Sequence, residues 1–238
     1  MVTEAETTES FYATARGSLA AWLVRERLAQ LWPEPAMRGQ AVLGFGYVAP
    51  YLTLWQPVAG RCIAVTPSQI GVSRWPPRDA NLACTGNEDA LPFPDLSFDR
   101  ILLVHGLESA ENANRLLREI WRVLKDDGRL LVVAANRRGL WAHTEGTPFG
   151  QGEPYSPGQI ERLLANALFR VERKDTALYV PPTTWRVILR SARLWESGGR
   201  VLMPGTAGVT ISEAVKDVYA AVPARPLQRR RLVLVKAA

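Results

Sequence analysis

The chain of 238 residues is 47% hydrophobic and 22% charged and carries a formal net charge of +6, which suffices for a full core and suits one large α/β domain or two small ones. Its first ten residues, MVTEAETTES, are polar and acidic and do not read as a secretory leader, and no run of about 18 apolar residues exists to span a bilayer. Cys62 and Cys84 lie far apart, each in an apolar run and without metal-ligand spacing, so a reduced, cytoplasmic protein with no metal site and no membrane partner is expected.

Residues 10 to 31 place Leu19, Trp22, Leu23 and Leu31 at near-helical spacing with Arg25, Glu26 and Arg27 between them, an amphipathic helix that Trp32-Pro33-Glu34-Pro35 ends. Apolar runs at 41–45, 61–65, 81–84, 98–104 and 129–135 then alternate with helical patterns, which predicts crossover units and a parallel sheet. Between the fourth and fifth runs Leu116, Leu117, Ile120, Trp121 and Leu124 mark one helix face, and Asp126-Asp127-Gly128 makes a turn. Ser156, Pro157 and Gln159 predict a capped helix start, 168–173 a strand, and 231–236 a last strand. Between these two strands the sequence predicts helices near 184–195 and 211–220, with Gly198-Gly199 between them; an insertion of this length suits a lid or a wall. The domain reading is an N-terminal helical cap at 1–40, a core at 41–175, a helical insertion or lid at 176–230 and a final strand at 231–238.

The arginines are scattered. Their densest run, Gln228-Arg229-Arg230-Arg231, leads into the apolar LVLV and reads as a solvated strand entrance, so nucleic acid is not the expected partner.

The stretch from Cys84 to Arg137 contains GNEDALPF, then SFD, then EIWRVLKDDG, in the order and spacing of three segments of one enzyme family. It resembles the middle of class I S-adenosylmethionine-dependent methyltransferases of the small-molecule type. The resemblance extends over about 41–175 and implies a Rossmann-like α/β fold: a seven-stranded, mostly parallel sheet with helices on both faces and a reversed final strand. It also implies S-adenosylmethionine as cofactor and methyl transfer to a small molecule as function.

The family's first motif runs V-L-D-x-G-x-G-x-G, whereas this chain reads VLGFGYVAP from Val42 to Pro50. Gly44 stands in place of the acid and Gly46 is kept. At the end of the second strand Thr66 replaces the carboxylate that accepts from both ribose hydroxyls, a loss of about 1.5 to 3 kcal/mol if nothing replaces it. Asn87 replaces a third acid and can still accept from an adenine amino group, with Glu88 and Asp89 beside it. The resemblance therefore implies Gly44, Gly46, Thr66, Asn87 and Glu88 as cofactor positions, all but the last without charge. A bulky residue at Gly46 is expected to abolish cofactor binding and leave the fold intact.

Ligands in such folds sit beyond the carboxyl ends of the strands, which makes His105 and Glu108, directly after the fourth run, the best-placed pair for acid–base work on an acceptor. The competing reading has His105 closing the strand end and Glu108 capping the next helix. After the fifth run, a loop rich in Gly, Pro and aromatic residues can offer Asn136, Arg137, Arg138, Trp141 and Tyr155 to a substrate, and two adjacent arginines would suit an anionic acceptor. Asp99 lies at the wrong end of its strand and reads as structural. Against a methyltransferase stands a non-catalytic, ligand- or protein-partner-binding member of the same fold, with RNA binding third.

Overall fold

The computed structural model describes residues 4–67, 74–144, 146–203 and 205–218. The sequence predicts one helix over 10–31, but the chain forms α1 (Glu4–Ala13) and α2 (Ala15–Leu31), parted at Thr14. The Thr14 hydroxyl accepts from the Gly17 amide at 3.0 Å as an N-cap. A Cβ on Gly17 would lie 2.0 Å from the Phe11 carbonyl, so the two helices turn tightly at a residue without a side chain.

After α3 (Glu34–Met37) come β1 (Ala41–Gly46), α4 (Ala49–Leu52), β2 (Arg61–Pro67), β3 (Ala83–Gly86), β4 (Phe98–Val104), α5 (Ala113–Val123) and β5 (Leu124–Ala135). Two 3-10 turns, Leu140–His143 and Pro148–Gly150, precede α6 (Pro157–Asn166), β6 (Phe169–Ala177), α7 (Arg186–Arg190), α8 (Ala192–Leu202) and β7 (Val209–Lys216). The strands form one sheet in the order β3-β2-β1-β4-β5-β7-β6. The neighbours from β3 to β5 pair parallel, and β7 runs antiparallel to both β5 and β6. This is the mostly parallel, Rossmann-like sheet with a reversed strand that the sequence implied.

Alternation along the central strands divides the core into two layers. Val42, Leu102, Val104, Leu131 and Val133 face α2 and α4, whereas Leu43, Phe45, Ile101, Leu103 and Val132 face α5 and α6. Helix α5 buries Leu116, Leu117, Ile120 and Val123, close to the expected face. The expected capping box is present at α6: Ser156 accepts from the Gln159 amide and Gln159 from the Ser156 amide. The Asp126-Asp127-Gly128 turn enters β5 as a break in register, with Phe98 opposite Leu124 but Arg100 opposite Arg129. Asp99 is structural, joining the Ala41 amide at 2.8 Å and Lys125 Nζ at 2.6 Å.

The reversed strand differs from the sequence expectation. Residues 209–216 form β7 where a helix near 211–220 is predicted, and the strand expected at 231–236 lies outside the described residues. The pattern VTISEAVK hides a central strand because Thr210, Ser212 and Glu213 are all buried. Glu213 is satisfied from distant parts of the chain: Trp32 Nε1 donates to it at 2.8 Å, Arg173 pairs with it, and an Arg129 nitrogen lies 3.5 Å away. Burial would push its carboxyl up, but these donors hold it below the usual value. Removing one donor from a buried carboxylate should be felt: Trp32→Phe is expected to cost about 1 to 3 kcal/mol in urea denaturation.

Candidate active site at the carboxyl ends of the first and fourth strands

β1 ends at Gly46 and β4 at Val104, side by side in the sheet. The two chain exits approach closely. Gly46 has φ of +93°, and a Cβ on it would lie 2.1 Å from the Val104 carbonyl. The same carbonyl accepts from the Tyr47 amide at 3.0 Å. Gly44 serves packing as well, because a Cβ there would meet Val48 and Leu52 side chains at 2.6 and 2.8 Å. The missing acid thus leaves room for α4 to settle on β1.

Directly after β4, His105 adopts φ of +54°, an uncommon conformation for a non-glycine residue that recurs at functional sites. Its Nε2 lies 2.8 Å from the Tyr12 hydroxyl, which in turn lies 2.9 Å from the Tyr51 hydroxyl. The Tyr12 ring stacks on Tyr47 at 4.9 Å, so α1 is fastened over the mouth of β1 and β4 by three aromatic side chains. Glu108 Oε1 accepts from the Ala135 amide at the end of β5, at 2.6 Å. The loop after the second 3-10 turn wraps it, since a Cβ on Gly152 would meet the Glu108 carbonyl at 2.2 Å.

Both ionisable groups are buried, at 8% exposure for His105 and 6% for Glu108. Among the described residues Glu108 Oε2 and His105 Nδ1 have no hydrogen-bond partner. Together with Thr8, Tyr47, Ser109, Pro148, Gln151 and Gly152 they line a cavity of about 170 Å³. Burial pushes the Glu108 carboxyl up to about 7 and the His105 imidazole down to about 4. At neutral pH the histidine is therefore uncharged, while the carboxyl is poised to take or give a proton. A buried polar atom is costly to leave unpaired, which singles out these two side chains among the cavity's lining residues.

The other predicted positions are placed as follows. Thr66 is half-buried near the end of β2, opposite Thr85. Asn87 is exposed, with its side-chain oxygen accepting from the Asp89 amide. Glu88 is buried and accepts from the Asn112 amide at 3.0 Å, which ties β3 to the entry of α5. Asn136 donates to the Gly205 and Ala207 carbonyls, and Trp141 Nε1 donates to the Val180 carbonyl. Arg137 donates to the Pro154 carbonyl, Arg138 is exposed, and the Tyr155 hydroxyl reaches the Leu107 carbonyl at 3.4 Å. All five loop residues stand at the expected sheet edge, but none of them lines the cavity. Sequence reasoning missed Tyr12, Tyr47 and Tyr51. The pair in GYVAPYL, four residues apart within the altered glycine motif, carried a signal, whereas Tyr12 carried none.

Do these residues fit the cofactor implied by the resemblance? The methionine half of S-adenosylmethionine bears a sulfonium and an ammonium, and the unpaired Glu108 oxygen and the Tyr47 ring suit cationic groups. At the positions that the resemblance implies for the adenosine half, Thr66 and Asn87 would offer neutral acceptors, and the Glu88 carboxylate is engaged by the Asn112 amide. The fit is charged at one end and neutral at the other.

Residues 42–132 match a methyltransferase domain family. A 47-residue stretch is 49% identical to a ubiquinone/menaquinone biosynthesis C-methyltransferase of Pseudoalteromonas translucida; it spans 20% of this chain and only 19% of that relative. Among solved structures, an S-adenosylmethionine-dependent methyltransferase from Thermotoga maritima superposes with a TM-score of 0.62 at 19% identity, covering 87% of this chain and 94% of the other. One from Aquifex aeolicus gives a TM-score of 0.60 at 14% identity, covering 90% and 100%. With the sheet order, the structural matches show the class I methyltransferase fold, and residues 42–132 carry the likeness to the methyltransferase domain.

Proposed function

We propose that the chain transfers the methyl group of S-adenosylmethionine to a small, uncharged acceptor held in the Glu108–His105 cavity. The observation that carries this reading is the pair of buried, unpartnered atoms, Glu108 Oε2 and His105 Nδ1, at the carboxyl ends of the strands where this fold does its chemistry. The bound cofactor supplies an electrophilic methyl group; Thr66, Asn87, the Gly46 turn and Tyr47 are the residues that would hold it. Glu108 takes the proton from the acceptor's hydroxyl or amine, for which a carboxyl near 7 is well matched. His105, neutral and steadied by Tyr12, orients the acceptor through Nδ1. The loop from Pro148 to Gly152 and Thr8 of α1 keep water out. Among the described residues no arginine or lysine lines the cavity, which supports an uncharged acceptor over an anionic one. The free thiols of Cys62 and Cys84 support a reducing, cytoplasmic setting.

A second reading, a ligand-binding protein without catalysis, draws on the neutral Thr66 and Asn87. Calorimetric titration with S-adenosylmethionine and its demethylated product separates the two; no heat with either sinks the proposal. Within the same experiment Thr66→Asp should tighten S-adenosylmethionine by about five- to thirtyfold, the value of a charged two-oxygen acceptor. A folded variant with no gain removes Thr66 from the ribose position.

A further inference from the structure

Helices α7 and α8 carry a surface that the methyl-transfer reading leaves unused. Helix α8 is held by a narrow stripe. Ala192, Glu196 and Gly199 are buried, Glu196 accepts from the Tyr179 amide at 2.7 Å, and a Cβ on Gly199 would lie 2.5 Å from Tyr179 Cβ. At about 100° per residue, Leu194 and Val201 fall directly opposite that stripe, with Arg193 and Arg200 on one flank and Trp195 and Leu202 on the other. The outward side is apolar: Trp185, Val187, Leu194, Val201 and Leu202 are each between 72% and 79% exposed. Such a cluster on one excursion marks an interaction surface rather than scattered exposure.

The charge of the excursion narrows the partner. From Leu178 to Gly208 the chain contains four arginines, at 186, 190, 193 and 200, and a single carboxylate, Glu196. That carboxylate is buried and already engaged. Arg190 and Arg193 are exposed, and Arg193 lies over the Trp22 ring at 5.0 Å, which extends the cationic and aromatic face onto α2. Arg200 pairs with Asp175 at 3.5 Å, which leaves Arg190 and Arg193 as the exposed cations; with the exposed aliphatic residues and tryptophans they form the composition of a helix lying in an anionic lipid interface, where apolar groups enter the acyl boundary and arginines meet phosphates. A second copy would set arginines against arginines, and a nucleic acid would leave the aliphatic face unused. No helix among the described residues is long and apolar enough to cross a membrane; α8, with 11 residues, suits contact in the plane of the surface.

We propose that the α7–α8 face docks the protein on an anionic bilayer surface. Flotation of the full chain with vesicles tests this. The protein should rise with vesicles of phosphatidylcholine mixed with phosphatidylglycerol, stay behind with phosphatidylcholine alone, and be released by high salt. Two paired variants, Leu194→Ser with Val201→Ser and Arg190→Glu with Arg193→Glu, should each weaken binding by more than about tenfold. Both alter side chains away from the anchoring stripe, and an unchanged thermal midpoint confirms the fold. Absence of binding to the mixed vesicles, or equal binding by either folded variant, overturns the proposal. So does a dimer formed without lipid and lost in the Leu194→Ser with Val201→Ser variant.

Discussion

Glu108→Gln should lower kcat/KM for methyl transfer by about a hundred- to ten-thousandfold, the usual contribution of a positioned base. Wild-type activity should rise with pH along a limb centred near 7, where burial holds the Glu108 carboxyl, and the variant's residual activity should lose that limb. The same substitution should stabilise the protein at high pH. The Glu108 carboxyl is raised from 4.5 to about 7 by folding, so its stabilising effect is complete below about 4.5 and is lost as pH rises through 7. Above that the folded protein carries a buried carboxylate, and glutamine removes the charge. Thermal melts should therefore show Glu108→Gln ahead of wild type by about 1 to 3 kcal/mol at pH 8 and level with it near pH 4. An active variant with an unaltered pH profile would falsify the assignment of Glu108 as base. His105 runs the other way: its imidazole is depressed from 6.5 to about 4, so its contribution is present above 6.5 and lost as pH falls through 4.

Gly46→Val should unfold the protein or destabilise it by more than about 4 kcal/mol, a size reserved for backbone strain and steric collision in a core. Sequence reasoning expected this substitution to spare the fold. It cannot, because φ at Gly46 is +93° and the new Cβ would sit 2.1 Å from a main-chain carbonyl that has no rotamer to escape into. A soluble Gly46→Val protein with a wild-type urea midpoint would refute this. Gly44→Asp, which restores the family's acid, should fail for a related reason: Val48 and Leu52 already fill the space. The glycines of AVLGFGYVAPYL keep the turn tight whether or not they touch a cofactor.

How much could be read from the chain differs by element for physical reasons. Strands β1, β4 and β5 were legible because both of their faces are apolar, giving continuous runs. Strand β7 was not, since Glu213 owes its tolerance to Trp32 and Arg173, residues that no local window brings together. The break at Thr14 was likewise hidden inside a helical pattern. The position of His105 and Glu108 beyond a strand end could be read from sequence, whereas the contacts of Asn136 and Trp141 depended on where 205–207 and Val180 return in space. The opposite shifts of the two groups could not be read from sequence, because burial causes both.

The fastening of α1 by Tyr12 carries one further consequence. A helix of ten residues is marginal in water by itself, so α1 holds its place through ring contacts and the Tyr12–His105 bond rather than through its own backbone. Opening of the cavity is then a local event, cheaper than melting the sheet, and occupancy and helix docking are thermodynamically linked. A molecule that satisfies the waiting atoms of His105 and Glu108 should slow amide hydrogen exchange across α1 while leaving the sheet's slow amides untouched. Residence time at the site and protection at the amino terminus should change together.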